Sequence, residues 1–119
     1  MQIKSHDINT IKIAEVVSDE AIIKSAQDGL DLLGNIYYQG FDKIIVYEEN
    51  ITPEFFDLKT KIAGDILQKF SNYRVSLAIV GNFEKYPGKS IRDFIFESNK
   101  TRHINFTETL EEALERLGR

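Results

Sequence analysis

The sequence predicts an α/β fold in which a mostly parallel sheet is packed by helices. Two apolar runs without alternation, 44–47 and 75–80, are typical of strands that are covered on both faces. Each run is followed by a polar loop and then by a helical pattern, which is the rhythm of a parallel sheet. A chain of 119 residues has the length of one domain and can bury a core. We therefore expect a single domain over residues 1–119, in the order β-β-α-β-α-β-α-β-α.

The first elements are predicted as a strand pair followed by a helix. Two runs rich in β-branched residues, 3–8 and 11–17, flank Asn9-Thr10 and indicate a hairpin or sharp corner. We expect the first of these strands to be the antiparallel member of the sheet. Apolar residues then recur at helical spacing over 22–37, and Ser18-Asp19 supplies the oxygens of an N-cap.

The second helix is predicted to run from about Pro53, a good first helical residue, to about Phe70. Its apolar stripe has members three or four residues apart, namely Phe55, Leu58, Ile62, Ile66 and Phe70. Because Phe55 and Phe56 are adjacent on this helix, they cannot both face inward equally. We expect one of them to contribute to an exposed apolar patch, which would mark a partner surface.

The last three elements are predicted from capping patterns and from one alternating run. Ser90 and Asp93 resemble a capping box at the start of the third helix. The alternation over 104–107 predicts an edge strand with one wet face. The T-x-x-E pattern at 109–112 is a regular capping box and starts the final helix.

Composition excludes several classes of function. The chain has 15 basic and 19 acidic residues and a net charge of −4, which argues against a nucleic-acid partner. The absence of cysteine excludes disulfides, cysteine-ligated zinc and thiol catalysis. The two histidines, His6 and His103, form no metal motif and have no carboxylate at a spacing that suggests a dyad, so we expect structural or surface roles for both. No apolar run approaches the roughly 20 residues of a membrane span. We expect a soluble cytoplasmic protein without a cofactor or a membrane partner.

Polar residues at the carboxyl ends of the strands are the first candidates for a site, because ligands of parallel sheets collect there. Glu48 and Glu49 leave a predicted buried strand side by side. Glu49 together with Asp57 or Asn82 offers oxygen ligands for a divalent cation, or groups for acid–base work. The alternative is that both glutamates are solvated or cap the helix at Pro53.

A second candidate is the segment from Gly81 to Ser90, which imitates a phosphate-binding P-loop. Six residues separate Gly81 from Gly88 where the motif requires four, and Pro87 removes one amide donor. A helix N-terminus beside Lys89 is still a place for a single phosphate or sulfate; otherwise Ser90 is only a cap. No catalytic residue or metal site is predicted, and the candidate ligand-binding residues are Glu48, Glu49, Asp57, Asn82, Lys89, Ser90 and Arg92.

Five segments carry a resemblance to a known family. They are 13–16 (IAEV), 47–50 (YEEN), 53–60 (PEFFDLKT), 78–81 (AIVG) and 90–95 (SIRDFI). They are spread over nearly the whole chain, which resembles a bacterial family catalogued as domain of unknown function 4180. The resemblance implies a bacterial source and brings no known activity with it.

A more remote resemblance is to the SpoIIAA-like domains, which include the sulfate-transporter and anti-sigma-antagonist domains. It rests on the element order and on the ending, a strand followed by a T-x-x-E cap and the helix that contains 111–114 (EEAL). The resemblance implies a βα superhelix used for protein interaction and regulation. The phosphorylatable serine of those domains has no counterpart here, because residues 48–52 read EENIT.

Two functions remain open at this point. The leading hypothesis is a non-catalytic regulatory or protein-interaction module, with a protein partner or a second copy of the chain bound to it. The alternative is a small-molecule or anion-binding protein, or a small enzyme, with an acidic site at the carboxyl ends of the strands. That site would use Glu49, Asp57 and Asn82, with Lys89 or Arg92 contacting an anion.

Overall fold

A computed structural model describes residues 1–119, and its centre is one mixed sheet of five strands. The strands are β1 (Gln2–Ile8), β2 (Ile11–Val17), β3 (Lys43–Tyr47), β4 (Ser76–Val80) and β5 (Ile104–Thr107). They lie side by side in chain order. β1 pairs with β2 antiparallel, as expected, and the pairings β2–β3, β3–β4 and β4–β5 are parallel.

Four α-helices cover the two faces of the sheet unequally. They are α1 (Ala26–Tyr38), α2 (Ile62–Asn72), α3 (Lys89–Thr101) and α4 (Leu110–Leu117). The first three pack on one face and form a core of 22 buried residues with it. Only α4 packs on the opposite face, where the core has six buried residues. The α/β class and the element order are as predicted, and no helix is long and apolar enough to cross a membrane.

The inner strands supply side chains to both cores, which explains their apolar runs without alternation. Ile44 and Val46 of β3 belong to the larger core, whereas Ile45 between them belongs to the smaller one. Successive strand residues point to opposite faces, so a strand covered on both sides is apolar at every position. Ala78 of β4 joins Ile45 in the smaller core beneath α4.

The first helix begins later than predicted, at Ala26 instead of near Ile22. Its N-cap is Ser25, whose hydroxyl accepts a hydrogen bond from the Asp28 amide at 3.2 Å. Ile23 forms a parallel bridge with Ile51. This bridge holds the preceding segment extended beside the loop after β3, so the prediction that Ser18-Asp19 caps the helix was wrong.

The predicted helix from Pro53 is also wrong, because two 3-10 turns, at Pro53–Phe56 and Leu58–Thr60, precede α2. The Asp57 carboxylate accepts the Lys59 amide at 3.2 Å, and such side-chain bonds compete with helical ones. Both Phe55 and Phe56 are buried, so the apolar patch expected there does not exist. The exposed aromatic side chains lie elsewhere: Tyr37, Tyr38, Tyr73 and Phe96.

Two predictions near the C-terminus also need correction. α3 is preceded by Gly88, whose φ is 109°, and no side chain caps it, so Ser90 and Asp93 form no capping box. β5 lies at the edge of the sheet, as predicted, but it has no wet face. Asn105 and Thr107 are buried because α4 covers the face that they occupy.

Candidate functional site

Glu48 is the one predicted site residue that is buried at the carboxyl ends of the strands. Its Oε2 atom accepts a hydrogen bond from the Tyr86 hydroxyl at 2.5 Å and lies 2.8 Å from the Lys85 ammonium. The Tyr86 ring in turn stacks on Phe56, with ring centroids 4.2 Å apart. Burial, together with the hydrogen bond to Glu48, raises the pKa of Tyr86, which keeps its hydroxyl protonated and donating. Glu48 therefore anchors the loop between β4 and α3.

Gly81 makes room for this anchor. A Cβ atom at Gly81 would lie 2.4 Å from the Glu48 Cβ and 3.0 Å from its Oε1. Atoms that are not bonded do not approach so closely, so any side chain at Gly81 displaces Glu48 from its partners. The glycine that the sequence offered as part of a P-loop thus has a packing role.

Two of the other predicted site residues make hydrogen bonds within their own loops. Asp57 accepts the Lys59 amide, and Asn82 accepts the Glu84 amide at 3.1 Å. Glu49 is exposed and has no hydrogen bond from its side chain. None of these three side chains hydrogen-bonds to another, and no three His, Asp or Glu side chains lie close enough together to hold a metal ion.

Three of the seven predicted residues do line one hollow. Asp57, Lys89 and Ser90 border a cavity of about 550 Å³ beside the first turn of α3. Lys89 is already paired there with Asp93 at 2.8 Å. Asn82 lines a separate hollow of about 400 Å³ that is also bordered by two glutamates. Neither hollow is lined by Glu48, Glu49 or Arg92.

A polar cluster that the sequence analysis missed lies on the face that carries only α4. The buried Glu15 carboxylate contacts His6 Nε2 at 2.8 Å through Oε1 and accepts the Tyr47 hydroxyl at 2.6 Å through Oε2. His6 thus has a carboxylate partner, although no spacing in the sequence suggested one. In the hairpin His6 lies opposite Ile13 and Glu15 lies opposite Lys4. Counting back from the turn at Asn9-Thr10 would have placed His6 and Glu15 diagonally on one face.

This cluster is organised to keep Glu15 ionised. Burial alone would raise the pKa of Glu15, but the hydrogen bonds from Tyr47 and His6, with the positive charges of His6 and Lys4, together lower it. Burial and the bond to Glu15 raise the pKa of Tyr47, so that its hydroxyl stays a donor. Both Glu15 oxygens are occupied, and the cluster ties β1, β2 and β3 together.

A hollow of about 830 Å³ lies between α2 and α3, and His103 is one of its lining residues. The Nε2 atom of His103 is buried and has no hydrogen-bond partner. Burial lowers the pKa of His103, and the charge of Lys43 adds to this effect, against a hydrogen bond with the Phe70 backbone that raises it. His103 is therefore a neutral structural histidine near neutral pH.

The two edges of the sheet differ in whether side chains hydrogen-bond to their outward backbone N–H and C=O groups. On β5, the Asn99 amide side chain bonds both outward groups of Phe106: its Oδ1 accepts the amide at 2.7 Å and its Nδ2 donates to the carbonyl at 3.2 Å. The side chain of Asn99 thus stands where a neighbouring strand would pair. This is one way in which proteins prevent pairing at an edge.

The edge at β1 has no such protection. Asn9 and Thr10 have φ values of 49° and 68°, the type I′ hairpin geometry, in which Ile8 and Ile11 close the turn as a hydrogen-bonded pair. Pairs alternate along an antiparallel ladder, so Ile3, Ser5 and Asp7 direct their N–H and C=O groups away from β2. No hydrogen bond in the chain satisfies these outward groups. This edge is seven residues long, whereas the opposite edge at β5 has four residues.

A comparison with family models shows which family the chain belongs to. The model described as domain of unknown function (DUF4180) matches residues 8–117. The chain belongs to the DUF4180 family. Neither the curated proteins nor the solved structures give a match to it. The match covers nearly all of the fold, from the last residue of β1 to the end of α4.

The role of Gly81 in this DUF4180 chain gives a first prediction. Gly81→Ala should lower the free energy of unfolding by about 1–3 kcal/mol, since the added methyl overpacks against Glu48. Gly64→Ala is the matched control, because Gly64 is an exposed residue of α2 with open space around it. It should stabilise the protein by up to about 1 kcal/mol. Urea denaturation measures both, and equal effects of the two substitutions would contradict the packing role.

The His103 environment gives a second prediction. A histidine with a lowered pKa in the folded state binds its proton more readily when unfolded, so folding stability is lost as the pH falls below about 6.5. His103→Asn cannot be protonated and should show a smaller loss than the natural protein between about pH 7 and pH 5. Urea denaturation over this range measures the difference. If the free energy of unfolding fell equally with pH in the natural protein and in His103→Asn, His103 would not gain a proton on unfolding and the prediction would be wrong.

Proposed function

We propose that this protein is a non-catalytic protein-interaction module that binds a protein segment as an added strand along β1. The observation that carries the proposal is the contrast between its two sheet edges. Asn99 satisfies both outward groups of Phe106 on β5, whereas no hydrogen bond satisfies the outward groups of Ile3, Ser5 and Asp7 on β1. Strand addition to an open edge satisfies such groups with main-chain hydrogen bonds and is a common mode of peptide recognition.

The polar residues at the strand ends support a non-catalytic role. Glu48 is held by Lys85 and Tyr86, and Asn50 donates hydrogen bonds to the Ser18 and Glu20 carbonyls at 2.9 and 2.8 Å. These contacts tie loops to the sheet. A catalytic site would need at least some of these groups free and directed at a substrate.

We also propose that the fold is SpoIIAA-like. Support comes from the strand order, in which each strand lies beside the next one along the chain, and from the helix that follows each of β2, β3, β4 and β5. This succession is what a βα superhelix requires. Domains of that type are used for protein interaction and regulation, which agrees with the function proposed from the sheet edge.

A second candidate function, the binding of a small anion, is supported by the hollow beside α3. Its border combines Lys59, Lys89 and Ser90 with the first turn of the helix, where backbone amides are unpaired. Asp57 on the same border and Asp93 on Lys89 reduce the positive charge that an anion would meet. These two carboxylates make the anion site the weaker candidate.

The interaction proposal is tested with a photo-crosslinking residue placed at Asp7, on the open edge, in cells. The control position is Asp65, which is exposed on α2. We expect covalent protein adducts from position 7 that disappear when Ser5→Pro is added, because proline removes an outward N–H that β1–β2 pairing does not use. Absence of adducts at position 7, or equal adducts at both positions, would contradict the proposal.

The anion candidate is tested by thermal unfolding in inorganic phosphate. We expect no rise in Tm beyond that in sodium chloride of equal ionic strength, because Lys89 is paired with Asp93. A ligand that binds only the folded state raises Tm with its concentration. A phosphate-specific rise that Lys89→Met abolishes would therefore establish the anion site instead.

A further inference from the structure

The occupant of the open edge can be specified further, and this step rests on the proposed function. We infer that it is a second copy of this chain, whose β1 pairs antiparallel with the first copy's β1 about a two-fold axis through Ser5. The two five-stranded sheets then form one continuous sheet across the dimer. The axis is normal to the sheet, so the α1–α3 layers of both copies lie on the same face.

Backbone hydrogen bonding favours this arrangement. Ser5 lies opposite Ser5 of the second copy, and Ile3 lies opposite Asp7 of the second copy. These are the three residues whose N–H and C=O groups point outward, so each facing pair exchanges two hydrogen bonds. All outward N–H and C=O groups of Ile3, Ser5 and Asp7 in both copies are then satisfied.

Neighbouring registers satisfy fewer of these groups or oppose like charges. Centring the pairing on Lys4 places two ammonium groups directly opposite each other, which destabilises a strand pair. Centring it on His6 places Ile3 opposite Asn9, which lies in the turn with a φ of 49° and cannot continue the ladder. Only the Ser5-centred register keeps every outward residue paired and places Lys4 opposite His6 instead of a second lysine.

The charge of β1 also suits self-association. The whole chain carries a net charge of −4, which opposes the approach of two copies. Residues 2–8 contain one lysine and one aspartate, whose charges cancel, and His6 is paired with Glu15 of its own chain. No excess of one charge therefore opposes pairing along β1, where neither a proline nor a bulge interrupts the strand.

Disulfide trapping tests the register, because the chain has no cysteine and an introduced thiol is unique. Across the Ser5-centred pair, facing Cα atoms are about 5.5 Å apart, within disulfide range. Ser5→Cys should therefore give a covalent dimer under mild oxidation. Gln2→Cys is the matched control on the same strand, since the two Gln2 residues are roughly 20 Å apart in this register. The Ser5-centred register would be overturned if both variants formed the covalent dimer equally, or if Ser5→Cys formed none.

Sedimentation equilibrium tests the dimer without a modified thiol. The natural protein should dimerise with rising concentration, and Ser5→Pro should weaken that association at least tenfold while its circular dichroism stays unchanged. Asp7→Asn offers a second variant at an exposed position, because it removes the one negative charge of β1 and should weaken the association less than Ser5→Pro does. A natural protein that remains monomeric at all concentrations would overturn the inference.

The same experiments separate the two proposals. If the purified protein is monomeric while position 7 still forms adducts with other proteins in cells, the second-copy inference fails and the interaction function stands. If position 7 forms no adducts and the protein is monomeric, both fail. If the adducts from position 7 have the mass of two copies of this chain, both are supported.

Discussion

The turn at Asn9-Thr10 sets the register of β1 on β2, and both the Glu15 cluster and the free edge of β1 depend on that register. Both turn residues have positive φ, which makes Ile8 and Ile11 the first hydrogen-bonded pair of the ladder. A slip of one residue would move every β1 side chain to the other face. His6 would then lose Glu15, and a buried carboxylate would be left without one of its two partners, which is costly.

The same register decides which backbone groups of β1 remain free. Ile3, Ser5 and Asp7 point outward because their neighbours in the ladder bond to β2. At the opposite edge, Asn99 satisfies Phe106 with its own amide, and the Arg116 side chain binds both the Asn99 carbonyl and the buried Asn105. At one edge of the sheet the outward groups of Phe106 are thus satisfied by the Asn99 side chain, whereas at the other edge no side chain satisfies an outward group. This asymmetry supports strand pairing at β1 as the use of the fold.

Local sequence patterns predicted most of the strands and helices of this fold, but few of the contacts between them. The apolar runs of β3 and β4 and the T-x-x-E cap of α4 depend on short stretches of chain, so the class and order of elements followed from them. The start of α1 depends on the bridge from Ile23 to Ile51, and the buried state of β5 depends on α4 folding back over Asn105. Tyr47 as a partner of Glu15, and the partners of Glu48, depend on tertiary contacts in the same way, and such long-range contacts leave no periodic signal in sequence. His6 is different, because the hairpin turn alone places it beside Glu15.

The most direct measurement is amide hydrogen exchange at single-residue resolution, detected by NMR at low and at high protein concentration. The account predicts that the amides of Ile3, Ser5 and Asp7 exchange fast when dilute and become protected when concentrated. The amides of Lys4 and His6, already bonded to β2, should be protected at both concentrations. The account would be contradicted if the amides of Ile3, Ser5 and Asp7 exchanged at the same rate at every concentration. It would also be contradicted if these amides, and not those of Lys4 and His6, were protected in dilute protein.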